Sequence, residues 1–263
     1  MPELPEVETI RRGVLPRVKG ATIREVEIID QRNIKKIKPA EFKKKVVGQK
    51  ILDIERRAKY QLFKLASGNY LVFHLGMTGR MLFSPDKYVK VSFKLSNGRT
   101  LYFSDARLFG KIWFYDKYPE LKLGPEPLDK NFTWQKLKEI LSVKKTSIKV
   151  VLLDQKVISG VGNIYANEAL FKAGILPTRR ANKLTDAEYK KLHNAIADVL
   201  NAGIKYGGTS DSWYVNAKGE KGSFQDHLLV YGRKGEPCSK CKGEVVRVSH
   251  GQRGTFYCPK CQK

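Results

Sequence analysis

Val7, Ile10, Val14 and Val18 recur at three- and four-residue intervals, which predicts an amphipathic helix over residues 5–18. Pro5 suits its first turn, Glu6 and Glu8 complement the positive end of the helix dipole, and Arg12 and Arg17 the negative end. Pro16 is expected to bend or end this helix. From Thr22 to about Tyr115 the period shortens. Ile23, Val26 and Ile28, then Leu52 and Ile54, alternate with polar residues, and Tyr60, Leu62 and Leu65 do so more loosely. Ser67-Gly68-Asn69 and Ser96-Asn97-Gly98 read as hairpin turns, because Gly and Asn accept positive φ. Only residues 39–47 interrupt with helical spacing. Short strands at such close intervals predict a β-sandwich or barrel.

Residues 116–131 carry Pro119, Gly124, Pro125 and Pro127 and read as a linker. Beyond them the period becomes helical. Thr185 and Glu188 match a capping box, followed by a stripe of Tyr189, Leu192, Ile196 and Leu200, with Gly203 as the expected stop. That stripe is core and carries no chemistry. Residues 207–227 hold four glycines and little periodicity, which predicts a long functional or mobile loop.

Composition narrows the class. The chain has 263 residues and is 41% hydrophobic, enough for a real core. No run approaches the ~18 apolar residues of a membrane helix, and the start MPELPEVE is neither a secretory signal nor a basic transit peptide. The net charge of +24 is spread along the chain, in Lys43-Lys44-Lys45, Arg56-Arg57, Lys144-Lys145 and Arg179-Arg180. Such an excess favours a polyanionic partner, since neutralised phosphates release counterions. Solvated lysine-rich faces are the alternative, and charge alone separates the two poorly.

All four cysteines fall near the C-terminus, as Cys238-x2-Cys241 and Cys258-x2-Cys261. The spacing fits a four-thiolate zinc site, closed and therefore structural. Two disulfides are the alternative, but nothing marks the chain as secreted. Between the pairs lies His250-Gly-Gln-Arg253-Gly-Thr-Phe-Tyr257, a basic tip suited to a phosphate backbone.

The segments PELPEVETIRRG, RRAKYQ (56–61), HLGMTGRM (74–81), LGPEPL (123–128), SGVGNIYANEALF (159–171), VYGRKGEPC (230–238) and QRGTFYCPKCQK (252–263) resemble bacterial formamidopyrimidine-DNA glycosylases, in the family's order and along essentially the whole chain. The resemblance implies an α+β multidomain fold. Its parts would be an N-terminal β-sandwich domain with the first helix (1–130), a helix–two-turns–helix domain with a flexible lesion loop at 207–227 (131–228), and a zinc-finger hairpin (229–263). It also implies a cytoplasmic, monomeric repair enzyme that needs one zinc ion and no membrane. This enzyme would excise oxidised purines from damaged double-stranded DNA and cleave the abasic site.

The chemistry of the first residues supports this separately. A small second residue permits removal of Met1, which leaves the secondary amine of Pro2 at the N-terminus. An α-amine with pKa ~7.8 is about one-third unprotonated near pH 7.5, against roughly 0.1% for an ordinary lysine. Attack on the sugar C1′ would give an iminium ion directly. A proline that merely starts a helix is the plainer explanation of Pro2 by itself. Glu3 resembles the family's general acid, a role that needs burial to keep its proton, and Glu6 either orients the site or complements the helix dipole.

Lys59 and Arg253 match the family's residues for the first and second eliminations. Arg253 is a poor proton donor and better suited to clamping phosphate. Asn163, after Gly160-Val-Gly162, matches a phosphate contact at a helix start, with simple capping as the alternative. Lys145 and Tyr231 match backbone contacts. Met77, Arg107 and Phe109 match the three side chains that fill the void left by the extruded nucleotide, and Arg107 suits an orphaned cytosine. The pattern departs from the family once. Lys87-Tyr88-Val89-Lys90-Val91 stands where relatives usually show Lys-His-x-His-Val, so Tyr88 or Lys90 would replace a histidine contact to DNA. Two alternatives remain open here: an endonuclease VIII-type enzyme for oxidised pyrimidines, disfavoured by the PELPEVE start, and a non-catalytic zinc-finger DNA-binding protein.

Overall fold

The computed structural model describes residues 1–210 and 213–263; residues 211 and 212, within the expected 207–227 loop, lie outside the described residues. The described residues form two compact units, Met1–Leu121 with Tyr206–Gln225, and Lys122–Lys205 with Asp226–Lys263.

The first unit opens with helix α1 (Leu4–Val18), followed by β1 (Ile23–Ile28), α2 (Pro39–Val46), β2 (Ile51–Arg57), β3 (Tyr60–Leu65), β4 (Tyr70–His74), β5 (Gly79–Leu82), β6 (Val89–Leu95), β7 (Thr100–Asp105) and β8 (Lys111–Tyr115). The strands make two four-stranded antiparallel sheets, ordered β1-β6-β7-β5 and β2-β3-β4-β8. Phe73 joins them: its ring lies 5.0 Å from Phe63 in its own sheet and 5.9 and 5.8 Å from Phe93 and Phe103 in the other. Val7, Ile10, Val14 and Val18 of α1 enter the same core with no exposed surface.

Three expectations are corrected in this unit. Pro16 does not end α1, which runs on to Val18, with the Lys19 N–H still reaching the Leu15 carbonyl at 2.9 Å. The proline removes one donor, and the buried Val14 and Val18 hold the last turn. Leu52 points outward, 39% exposed, because a bulge between Ile51 and Asp53 turns it away and leaves Ile51 and Ile54 inside. Finally, 206–225 packs with this unit rather than with the helices, since Tyr214 and Ala217 belong to its core.

The second unit contains α3 (Trp134–Ser142), α4 (Ile148–Leu153), α5 (Asn163–Ala173), α6 (Asp186–Lys205) and the hairpin β9 (Val246–His250)–β10 (Arg253–Tyr257). Every residue from Ile164 to Phe171 is buried, so α5 is the axis of the unit. Phe171 packs with Val230, Val245, Phe256, Cys238 and Cys258, which seats the cysteine hairpin on that helix. The expected capping box is present: Thr185 N–H donates to Glu188 at 2.8 Å, and Glu188 N–H to Thr185 Oγ1 at 3.3 Å. Gly203, however, is not the stop. Helix α6 continues to Lys205 and ends where Gly207 and Gly208 take φ of +72° and +86°. Among the described residues no helix is long and apolar enough to cross a membrane.

Gly203 is small because Tyr165 needs the space. A Cβ at residue 203 would stand 2.4 Å from the Tyr165 hydroxyl oxygen. Gly203→Ala gains about 1 kcal/mol of helix propensity but overpacks a rigid aromatic, which costs typically ~1–3 kcal/mol. Net destabilisation is expected, read as a lower Tm in thermal unfolding. An unchanged or higher Tm would show that the ring yields freely.

Candidate functional site

Pro2 and Glu3 are both buried at the start of α1, Glu3 to 3% exposure. Glu3 and Glu6 cap each other: the Glu3 N–H donates to Glu6 Oε2 at 2.8 Å, and the Glu3 carboxylate takes the Glu6 N–H. The second oxygen of Glu6 accepts the Thr209 N–H at 2.8 Å. One buried carboxylate therefore joins the N-terminal residues to the 206–225 segment. Thr209 carries no sequence signal of its own.

Lys59 sits in the β2–β3 turn, after Ala58 at φ +54°, and is 5% exposed. Its charge acts on His74, which burial and the nearby Lys59 and Lys111 cations push down to about 4. The imidazole is then neutral near pH 7, and its Nδ1 accepts the Gly76 N–H at 3.1 Å. The neighbouring Arg56 faces Glu8 at 3.3 Å, as do Arg11 and Arg12 at 2.8 and 2.7 Å. Burial raises the Glu8 pKa, but these arginines outweigh it and hold the carboxyl at about 2. Part of the basic excess is thus spent inside the fold.

Met77 is half-buried in the β4–β5 turn, while Arg107 and the 45%-exposed Phe109 lie in the β7–β8 loop. The Arg107 guanidinium carbon lies 4.9 Å from the centre of the Phe109 ring. Asp105, fully buried, brings the two connections together. Its Oδ1 accepts from Thr78 Oγ1 at 2.5 Å and from the Arg107 N–H at 3.4 Å, and its Oδ2 from the Gly110 N–H at 2.7 Å and Asn33 Nδ2 at 3.0 Å. Gly76 completes the fit, because a Cβ there would meet the Phe109 carbonyl carbon at 2.5 Å. Asp105 stands two residues before Arg107, and no local pattern marks it.

In the second unit, Gly251 and Gln252 both take positive φ and close the β9–β10 hairpin, presenting Arg253 exposed at its tip. Three anchors hold this tip to the helices. Lys149 Nζ, fully buried, donates to the Gly254 carbonyl at 3.0 Å and to Thr255 Oγ1 at 2.6 Å. Asn163 Nδ2 donates to the same Gly254 carbonyl at 3.1 Å, and His250 hydrogen-bonds Ser147 at 2.6 Å. Arg253 is thereby brought beside the start of α5. Asn163 does not cap that helix; Gly162 occupies the capping position.

Tyr231 hangs from Glu168, whose carboxylate takes the N–H groups of Leu229, Val230 and Tyr231 at 2.8–3.0 Å. Burial pushes the Glu168 carboxyl up, against the pull of those three donors. Lys145 is exposed between α3 and α4. A lone acid in YANEALF and a lone lysine in IKVVLL were the available signals for Glu168 and Lys149.

Models of the formamidopyrimidine-DNA glycosylase N-terminal domain, the H2TH domain of the same enzyme and the zinc finger found in FPG and IleRS match residues 1–112, 123–214 and 235–263. The formamidopyrimidine-DNA glycosylase of Carboxydothermus hydrogenoformans is 44% identical over the full length of both chains. The chain belongs to the formamidopyrimidine-DNA glycosylase family. Among solved structures, the MutM (Fpg) protein of Thermus thermophilus superposes with a TM-score of 0.91 at 40% identity, covering 99% of this chain and 98% of that one. The Lactococcus lactis enzyme, in complex with DNA containing Fapy-dG, gives 0.90 at 33% identity, covering 99% of this chain and 100% of that one.

The zinc finger of this glycosylase is formed as expected. The four Sγ atoms of Cys238, Cys241, Cys258 and Cys261 lie within 4.8 Å of one another, with Cys238–Cys261 at 3.8 Å and Cys241–Cys258 at 3.5 Å. A tetrahedron of ~2.3 Å zinc–sulfur bonds has edges of roughly 3.8 Å, whereas a disulfide would need ~2.05 Å. The thiols are free, so they form a site for one structural zinc ion.

Two outcomes are expected. Cys258→Ala should lose zinc and DNA affinity together, because metal binding here is also folding energy; metal-free protein with full affinity would contradict this. Asp105→Asn places an amide against donors and should cost about 1–3 kcal/mol in denaturant unfolding; an unchanged midpoint would show that Asp105 does not hold the two connections together.

Proposed function

We propose that this chain excises oxidised purines such as 8-oxoguanine and formamidopyrimidines opposite cytosine in duplex DNA, then cleaves the abasic site, with the Pro2 amine as nucleophile. The observation that carries it is the buried Pro2-Glu3 start, pinned by Glu6. The Lactococcus lactis relatives bound to DNA with Fapy-dG and with an abasic site support the substrate class.

Removal of Met1 frees a secondary amine that attacks C1′ of the flipped nucleotide. The base departs with the glycosidic electron pair and a proton, for which Glu3 is the donor. The attacking nitrogen then releases its own proton and expels the ring oxygen O4′, which takes a proton from water, so the sugar opens as an iminium; this acidifies C2′, loss of that proton expels the 3′ phosphate, and a second elimination expels the 5′ phosphate. Lys59 serves the first elimination. Arg253 holds phosphate during the second, joined on the DNA backbone by Asn163, Lys145 and Tyr231. Extruding the base costs a few kcal/mol, which Met77 and Phe109 offset by filling the gap while Arg107 donates to O2 and N3 of the orphaned cytosine. Functionally, residues 1–130 carry the nucleophile, 131–228 the helical DNA contacts and loop, and 229–263 the zinc hairpin. A monomer working in the bacterial cytoplasm fits this chemistry.

Borohydride trapping on an oxidised duplex tests the nucleophile. Pro2→Gly should lose most of the trapped adduct while keeping zinc content and duplex affinity. Trapping at the wild-type level by a chain blocked at its N-terminus would place the nucleophile elsewhere.

A further inference from the structure

We propose that Arg80, Tyr88 and Trp213 form a latch that holds the 206–225 segment where Thr209 meets Glu6, making them positioning residues for base excision; the proposal rests on the roles given above to Pro2 and Glu3. The Trp213 and Tyr88 ring centres lie 5.5 Å apart, at an interplanar angle of 76°. The Arg80 guanidinium carbon is 5.8 Å from the Tyr88 ring centre and 5.7 Å from that of Trp213. One cation thus faces both rings, an arrangement favoured by their π charge.

On the sheet side, Asp86 fixes both Arg80 and Tyr88. It pairs with Arg80 at 2.7 Å, accepts the Tyr88 N–H at 2.8 Å, and takes the hydroxyl of Ser104 on β7. On the other side, the described residues of the 206–225 segment are tied to one another. Tyr214 donates its hydroxyl to the Gly207 carbonyl at 2.8 Å, and Ser210 Oγ donates to the Tyr214 carbonyl at 3.0 Å and accepts the Gly222 N–H at 2.9 Å. A segment tied this way transmits the seating of Trp213 to Gly208 and Thr209. There the fit is tight: a Cβ on Gly208 would stand 2.9 Å from Glu6 Cγ. Glu6 in turn holds the Glu3 N–H. The departure from the family motif then has a physical content. An aromatic ring at residue 88 has no cation to offer a phosphate, but it offers its face to Arg80 and packs edge-to-face with Trp213.

The test uses single-turnover release of the damaged base, cleavage of a preformed abasic site, and duplex affinity. Trp213→Ala should slow base release about tenfold, the scale of one aromatic and one cation–π contact. Abasic-site cleavage should change little, since no base remains for Glu3 to protonate. Trp213→Phe should recover most of the rate, and Tyr88→Ala with Trp213→Ala should be no slower than the worse single variant. In a Trp113→Phe/Trp134→Phe background, Tyr88→Ala should red-shift the Trp213 emission. Additive losses, an unmoved emission, or a Trp213→Ala defect confined to duplex affinity would overturn the latch. Borohydride trapping on the abasic duplex keeps the two questions apart: its absence in the unmodified enzyme defeats the Pro2 assignment, whereas its persistence in slow Trp213 variants leaves that assignment intact.

Discussion

A backbone N–H taken out of water must find an acceptor, and in three irregular segments of this chain that acceptor is a buried carboxylate. Glu6 takes the N–H groups of Glu3 and Thr209, Asp105 those of Arg107 and Gly110, and Glu168 those of Leu229, Val230 and Tyr231. Each gathers backbone that no helix or sheet satisfies, and each gathering point carries residues proposed to act in the reaction. A carboxyl group brings two oxygens to one place and can accept several N–H donors at once, so it gathers a loop around a single side chain. These acids are few in a chain with 26 Asp+Glu against 50 Lys+Arg. The scarcity gives the buried ones greater structural consequence.

The basic excess has two destinations. Arg11, Arg12 and Arg56 surround Glu8, and Lys149 crosses from α4 to the zinc hairpin, so these cations serve the fold. Arg253, Lys145 and Arg107 remain exposed, as a polyanion-binding surface requires. The zinc site links the two uses. Its hairpin is short and poor in core, and the metal supplies the stability that keeps its tip on the helices.

Where the signal is local, sequence and structure agree. The α1 stripe, the Thr185–Glu188 capping box, the turns at Gly68 and Gly98 and the paired cysteines each depend on residues within a few positions of one another. Legibility failed where a residue answers to a distant neighbour. Leu52 alternates correctly yet faces out, because the bulge beside it is set by pairing with β3. Gly203 looks like a helix stop but accommodates Tyr165, and Asn163 looks like a cap but reaches across to Gly254. Asp105, Lys149 and Glu168 carry no local signal for the same reason: each looks incidental until partners up to more than a hundred positions away are in place.

The sequence by itself determined the family, the zinc ligands, the strand-rich and helical halves and the residue types available for chemistry, since these follow from identity, spacing and period. Tertiary structure decided which unit the 206–225 segment joins, which charges are spent internally, and how Met77, Arg107 and Phe109 are brought onto one support. It also decided that Tyr88 is engaged with Trp213. Those outcomes turn on hydrogen bonds and ring contacts between residues far apart in the chain. No local pattern records them, because burial and partner geometry exist only once the chain has folded.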